Sequence, residues 1–182
     1  MQAMTRRGTL GLLAGGTVAA AAGARKPRAE ELQDVSSMVP TDPPRPLPPL
    51  NLVDADGNAH TLAEFSGRGV VLNLWATWCV PCVAEMPALN TLAGQVGPEI
   101  AVLALSSDRG GAPTVEAFYR EHAITNLSVW LDLHGDALHA LNARGIPTTL
   151  IIDKQGRERG RLEGAIDWAR KDALDTVRRL AG

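Results

Sequence analysis

Val70-Val71-Leu72-Asn73-Leu74-Trp75-Ala76-Thr77-Trp78-Cys79-Val80-Pro81-Cys82-Val83-Ala84-Glu85-Met86-Pro87 is the stretch from which the rest of the chain can be read. Its first six residues form a short, nearly continuous apolar run, the pattern of a strand buried on both faces. From about Cys79 to Gln95 the pattern is helical, and Leu89, Leu92, Ala93 and Val96 carry an apolar face past Pro87. The two cysteines, the only ones in the chain, therefore sit where a buried strand gives way to a helix. Amides in a helix's first turn lack intrahelical partners, and the helix dipole is positive there; both favour a thiolate. Cys79 is expected to be the acidic nucleophile, and Cys82, one turn on, the more buried thiol that resolves a mixed disulfide. Pro81 lies in the first turn, where a missing amide costs little. Pro87 removes the bond to the Val83 carbonyl, so the helix is expected to kink and continue.

Outward from this unit the elements alternate. Asn51-Leu52-Val53 and Ala59-His60-Thr61 flank Asp54-Ala55-Asp56-Gly57-Asn58 as a hairpin, and Leu62 to Phe65 reads as one helical turn. Downstream come a buried strand at Ile100–Leu105, a helix at Thr114–His122 opened by Pro113, a brief strand at Ser128–Leu131 and a short helix at Asp136–Leu141. Thr148–Ile152 and Glu158–Glu163 form a last hairpin around Asp153-Lys154-Gln155-Gly156, and Asp167 is expected to cap a closing helix to about Leu180. The fold class is α/β: a central mixed β-sheet flanked by helices, with an N-terminal β-hairpin extension.

The first 50 residues differ in kind. Arg6 and Arg7 precede a weakly apolar run from Leu10 to Ala22, and Ala22-Gly23-Ala24 has the small residues of a cleavage site. That run is shorter than the roughly 20 residues a membrane span needs. Residues 1–24 read as an export signal or a retained membrane anchor, and the protein is expected in the periplasm. Residues 25–50 hold seven of the 12 prolines (Pro27, Pro40, Pro43, Pro44, Pro46, Pro48 and Pro49) and read as a semi-rigid linker. The folded domain is placed at residues 51–182. With 45% hydrophobic residues, 21% charged residues and a net charge of -2, the composition is that of an ordinary globular domain, and no basic patch points to nucleic acid.

The residues alone leave several readings of the cysteine pair open. A structural disulfide over so short a loop constrains the unfolded chain little. A zinc site would have to recruit His134 and His139, far from Cys82. Haem attachment needs a histidine directly after the second cysteine, where Val83 stands. A peroxide-reducing site would want Pro and Thr where Leu72 and Ala76 stand. A copper or thiol chaperone, or a disulfide-forming oxidase, would use the same pair in another way.

On Asn73–Pro87, and on Gly145-Ile146-Pro147-Thr148-Thr149, the chain resembles the thioredoxin superfamily in its TlpA/ResA branch of extracytoplasmic thiol–disulfide oxidoreductases. The resemblance spans about Leu50 to Leu180 and implies a thioredoxin fold. It also implies a redox-active Cys79–Cys82 disulfide in place of any cofactor or metal, and a cis Ile146–Pro147 bond lying against that pair. Ile146 and Pro147, with Trp78 and Pro81, would then meet the client segment. Glu85, one turn after Cys82, is the branch's active-site carboxylate by the same resemblance. Asn73 stands where ordinary thioredoxins carry a buried acid. Thr5-Arg6-Arg7-Gly8-Thr9-Leu10 resembles a twin-arginine signal, with Thr9 where phenylalanine is usual. Ser106–Gly111 and Val115–Tyr119, similar to the same branch, point to protein disulfides of cytochrome oxidase or cytochrome c biogenesis as clients. A membrane dithiol donor of DsbD/CcdA type is the implied electron source.

Overall fold

The computed structural model describes residues 32–182. The export signal and the first part of the linker lie outside the described residues. Among those described, no helix is long and apolar enough to cross a membrane.

Eight strands form one sheet: β1 (Val39–Pro46), β2 (Asn51–Val53), β3 (Ala59–Thr61), β4 (Gly69–Trp75), β5 (Ile100–Ser106), β6 (Trp130–Leu131), β7 (Thr148–Ile152) and β8 (Arg157–Glu163). Their order is β1-β8-β7-β4-β5-β6-β2-β3. β4 runs parallel to β5 and antiparallel to β7, so the sheet is mixed, as expected. Among the described residues, four α-helices cover it: α1 (Val80–Gln95), α2 (Gly111–Glu121), α3 (Asp136–Ala140) and α4 (Lys171–Ala181).

All of β4 is buried, and its side chains alternate between two cores. Val71 and Trp75 point into a core filled by Met86, Leu89 and Leu92 of α1, Phe118 of α2 and Val177 of α4. Val70, Leu72 and Leu74 point the other way, onto Ala137 and Leu141 by α3 and onto Leu50 and Leu52. Asn73 falls between Val71 and Trp75 in register and so faces α1. The expected hairpin, β2 with β3, is present and extends the sheet beyond β6.

Two expectations are corrected. The proline-rich segment is not a free linker over its whole length: β1 pairs antiparallel with β8 as an outer strand of the sheet. An outer strand needs donors on one side only, which is why Pro40, Pro43, Pro44 and Pro46 are compatible with it. Val35 and Met38 enter the core, and the buried Glu158 carboxylate accepts bonds from Thr41 Oγ1 at 2.9 Å and Arg45 Nη2 at 3.1 Å. The closing helix begins at Lys171 with Arg170 as its N-cap. Asp167 belongs to the preceding turn, where its side chain accepts from the Ala169 amide. Trp168 takes up the intervening chain by burying its ring completely in the core.

Candidate active site

α1 starts where β4 ends, and Cys79 is its N-cap residue. The cysteines form a disulfide with S–S 2.04 Å and Cα–Cα 5.2 Å. Cys79 Sγ accepts from the Cys82 amide at 3.3 Å, so an unpaired amide of the first turn is aimed at the sulfur expected to ionise. Cys79 is 6% exposed and Cys82 is fully buried, so Cys82 is the more buried of the two. Pro81 sits in the first turn, and the helix runs unbroken past Pro87 to Gln95.

The Ile146–Pro147 bond is cis, and the Ile146 carbonyl lies 3.7 Å from Cys79 Sγ. Trp78 is 68% exposed, and Val80 is exposed on the other side of Cys79. Trp78 and Ile146 also border a cavity of about 500 Å³ floored by Leu74 and Leu105, with Arg109 at its rim. An extended segment crossing Cys79 would meet the Ile146 backbone, the Trp78 ring and this cavity.

Glu85 is the least exposed carboxylate of the site, with no solvent contact. One oxygen accepts from Asn73 Nδ2 at 2.6 Å, and Asn73 Nδ2 also reaches Thr149 Oγ1 at 2.9 Å. The other oxygen accepts from the Ile166 amide at 2.8 Å. Burial penalises its charged form and pushes it up to about 7, against the opposing pull of the Ile166 and Asn73 hydrogen bonds. The Trp168 indole N–H stands beside the carboxylate but, like Asn73 Oδ1, makes no hydrogen bond among the described residues. Buried polar atoms without partners are uncommon, and here two of them belong to residues that neighbour Glu85.

Three supports were missed in the sequence. Asp108, quoted only within a similar stretch, is buried and accepts from the Thr77 amide at 2.9 Å, Thr77 Oγ1 at 2.7 Å and Ser106 Oγ at 2.8 Å. It ties the β5–α2 loop to the turn that presents Trp78 and Cys79. Thr149, quoted only within the Gly145–Thr149 stretch, supports Glu85 through Asn73, and Ile166, which bonds Glu85 directly, carries no local signal. Among the described residues, no group of three or more His, Cys, Asp or Glu side chains converges to hold a metal.

Residues 43–159 match the AhpC/TSA family. The ResA thiol-disulfide oxidoreductase of Geobacillus kaustophilus is 34% identical over 122 residues, covering 65% of this chain and 68% of the relative. The chain belongs to the AhpC/TSA family and is a ResA-like thiol-disulfide oxidoreductase. The exposed lipoprotein thioredoxin Etrx1 of Streptococcus pneumoniae superposes with TM-score 0.61 at 29% identity, over 73% of this chain and 100% of that one. A DsbF homologue from Corynebacterium diphtheriae superposes with TM-score 0.65 at 21% identity, over 79% and 92% of the chains, a likeness of fold.

Proposed function

We propose that this ResA-like oxidoreductase is an exported, periplasmic reductant of protein disulfides, acting in cytochrome oxidase or cytochrome c biogenesis. Residues 1–24 serve as a twin-arginine-like signal or retained anchor. A membrane dithiol donor of DsbD/CcdA type recharges the Cys79–Cys82 pair, which is the sole redox group, with no cofactor or metal. The observation that carries the reading is the juxtaposition of Cys79 with the Cys82 amide and the Ile146 carbonyl, with buried Glu85 one helical turn beyond Cys82.

In the reduced protein, the Cys79 thiolate attacks one sulfur of a client disulfide docked along Ile146 and Pro147 against Trp78. The client S–S bond breaks, its leaving thiolate takes a proton from solvent, and Cys79 is joined to the client. Ionised Glu85 then accepts the Cys82 proton. The resulting thiolate attacks Cys79 Sγ and expels the second client cysteine, which takes up a proton. Two electrons have passed to the client, and Cys79–Cys82 is a disulfide. A carboxyl titrating near 7 suits this step because it is available in both charge states at neutral pH. The Val80-Pro81 dipeptide lacks the histidine that stabilises the thiolate of strong oxidants, which supports the reducing direction. The test is the reduction potential of the pair, measured against glutathione or thioredoxin. It should lie nearer about -270 mV than about -120 mV, and a value near the latter would reverse the direction.

A further inference from the structure

Glu85 is held from two sides, and one of them leads back to the segment before β1. The Ile166 amide that reaches Glu85 Oε2 lies between β8 and α4, in chain without helix or strand. The Ile166 side chain is buried in the core, and the backbone on both sides of it pairs with Gln33. The Gln33 amide donates to the Ala165 carbonyl at 2.7 Å, and the Gln33 carbonyl accepts from the Asp167 amide at 3.1 Å. These two bonds make a parallel bridge across Ile166. In such a bridge the bracketed residue turns its own amide to the opposite side, and here that side is Glu85. The Gln33 side chain adds a bond from Nε2 to the Glu163 carbonyl at 3.2 Å. Gly164 leaves room for it: φ is +115°, and a Cβ there would stand 2.0 Å from Gln33 Nε2. Val35 and Met38 anchor the same segment in the core, and Asp34 pairs with Arg170 at 3.1 Å.

We propose that Gln33 is a positioning residue for the active site: by pairing with Ala165 and Asp167 it aims the Ile166 amide at Glu85, so the segment that precedes the first strand sets the charge state in which Glu85 serves Cys82. The inference rests on the role given to Glu85 above, but its test reads the Glu85 carboxyl itself. The side chains that meet that carboxyl or its partner are Asn73 from β4, Thr149 beyond it on β7 and Trp168 after β8, with Cys82 one turn earlier on α1 and disulfide-bonded in the oxidised chain; none of them carries a charge at neutral pH. The charged groups near Gln33 are Asp34, Asp167, Arg170 and Asp172 at one end and Glu163 with Arg144 at the other.

The experiment is a carbon-13 NMR titration of the Glu85 carboxyl in the full oxidised chain, assigned with Glu85→Gln. Gln33→Pro deletes the amide that holds Ala165, and the loosened Ile166 bond, which favours the charged carboxylate, should raise the Glu85 midpoint by about one pH unit. Gln33→Ala keeps both backbone bonds and should titrate as wild type. Equal midpoints in the proline variant and wild type, or an alanine shift as large as the proline one, would overturn the proposal. If Gln33→Pro does not fold, Val35→Ala loosens the same segment: a raised Glu85 midpoint supports the proposal and an unmoved one overturns it. Failure of the reductase reading would show separately, as wild-type dithiol that exchanges with no protein disulfide whatever the titration gives.

Discussion

Replacing Glu85 by Gln should remove about 3 kcal/mol of pH dependence from the protein's stability. In the fold Glu85 keeps its proton up to about 7, whereas the unfolded chain releases it near the ordinary value of 4.5. Between those values the folded state binds more protons, so raising the pH favours unfolding. The stabilisation is fully present below 4.5 and is gone above about 7. At about 1.4 kcal/mol per pH unit, that interval corresponds to about 3 kcal/mol. The glutamine side chain also changes the hydrogen bonds to Ile166 and Asn73, but that offset does not vary with pH. Urea denaturation of oxidised wild type and Glu85→Gln at several pH values from 4 to 8 isolates the effect, because every other titrating group cancels in the difference. The wild-type stability minus the variant's should fall by about 3 kcal/mol across the series. Two curves that stay parallel to within about 0.5 kcal/mol would refute the view that a buried, proton-retaining carboxyl sits beside the cysteines.

The cysteine roles predict opposite phenotypes: Cys82→Ser should accumulate a mixed disulfide with a client, while Cys79→Ser should neither reduce insulin nor trap. A trap formed through Cys82 in the Cys79→Ser protein would exchange the assignments. Away from the site, His60 faces Glu64 Oε2 at 2.8 Å through Nδ1 and Asp54 Oδ2 at 3.0 Å through Nε2, an arrangement both nitrogens satisfy only when protonated. Its hydrogen bond to Glu64 first, then that to Asp54, raises its pKa above 6.5. The support it gives the β2–β3 hairpin is therefore complete below 6.5 and lost as pH rises through the higher folded value. Proton NMR of the ring should give a midpoint above 6.5, with faster amide exchange in the hairpin once it is passed; a midpoint at or below 6.5 removes the clamp.

Much of the fold is legible locally. β4, the Cys79–Cys82 helix start, both hairpins and α3 follow from apolar periodicity and turn residues, because each is specified by neighbours in the chain. Two readings failed for one reason. β1 was hidden because prolines mark an extended segment without saying whether a sheet edge waits for it; that edge is supplied by β8, more than a hundred residues later. The start of α4 was misplaced because Asp167 has the chemistry of a cap, while Trp168 is drawn into the core and delays the helix.

The same division runs through the active site. Residue type and spacing alone determined that two cysteines one turn apart would meet at a helix start, since three residues of helix bring them together wherever the helix goes. They also put Glu85 one turn further along, but not in any environment. Only the tertiary structure decided that this carboxylate lies out of water, between Asn73 of β4 and the Ile166 amide held by Gln33. Spacing along a helix is a local property, whereas the proton affinity of a carboxyl depends on the solvent and dipoles around it, which distant parts of the chain bring together.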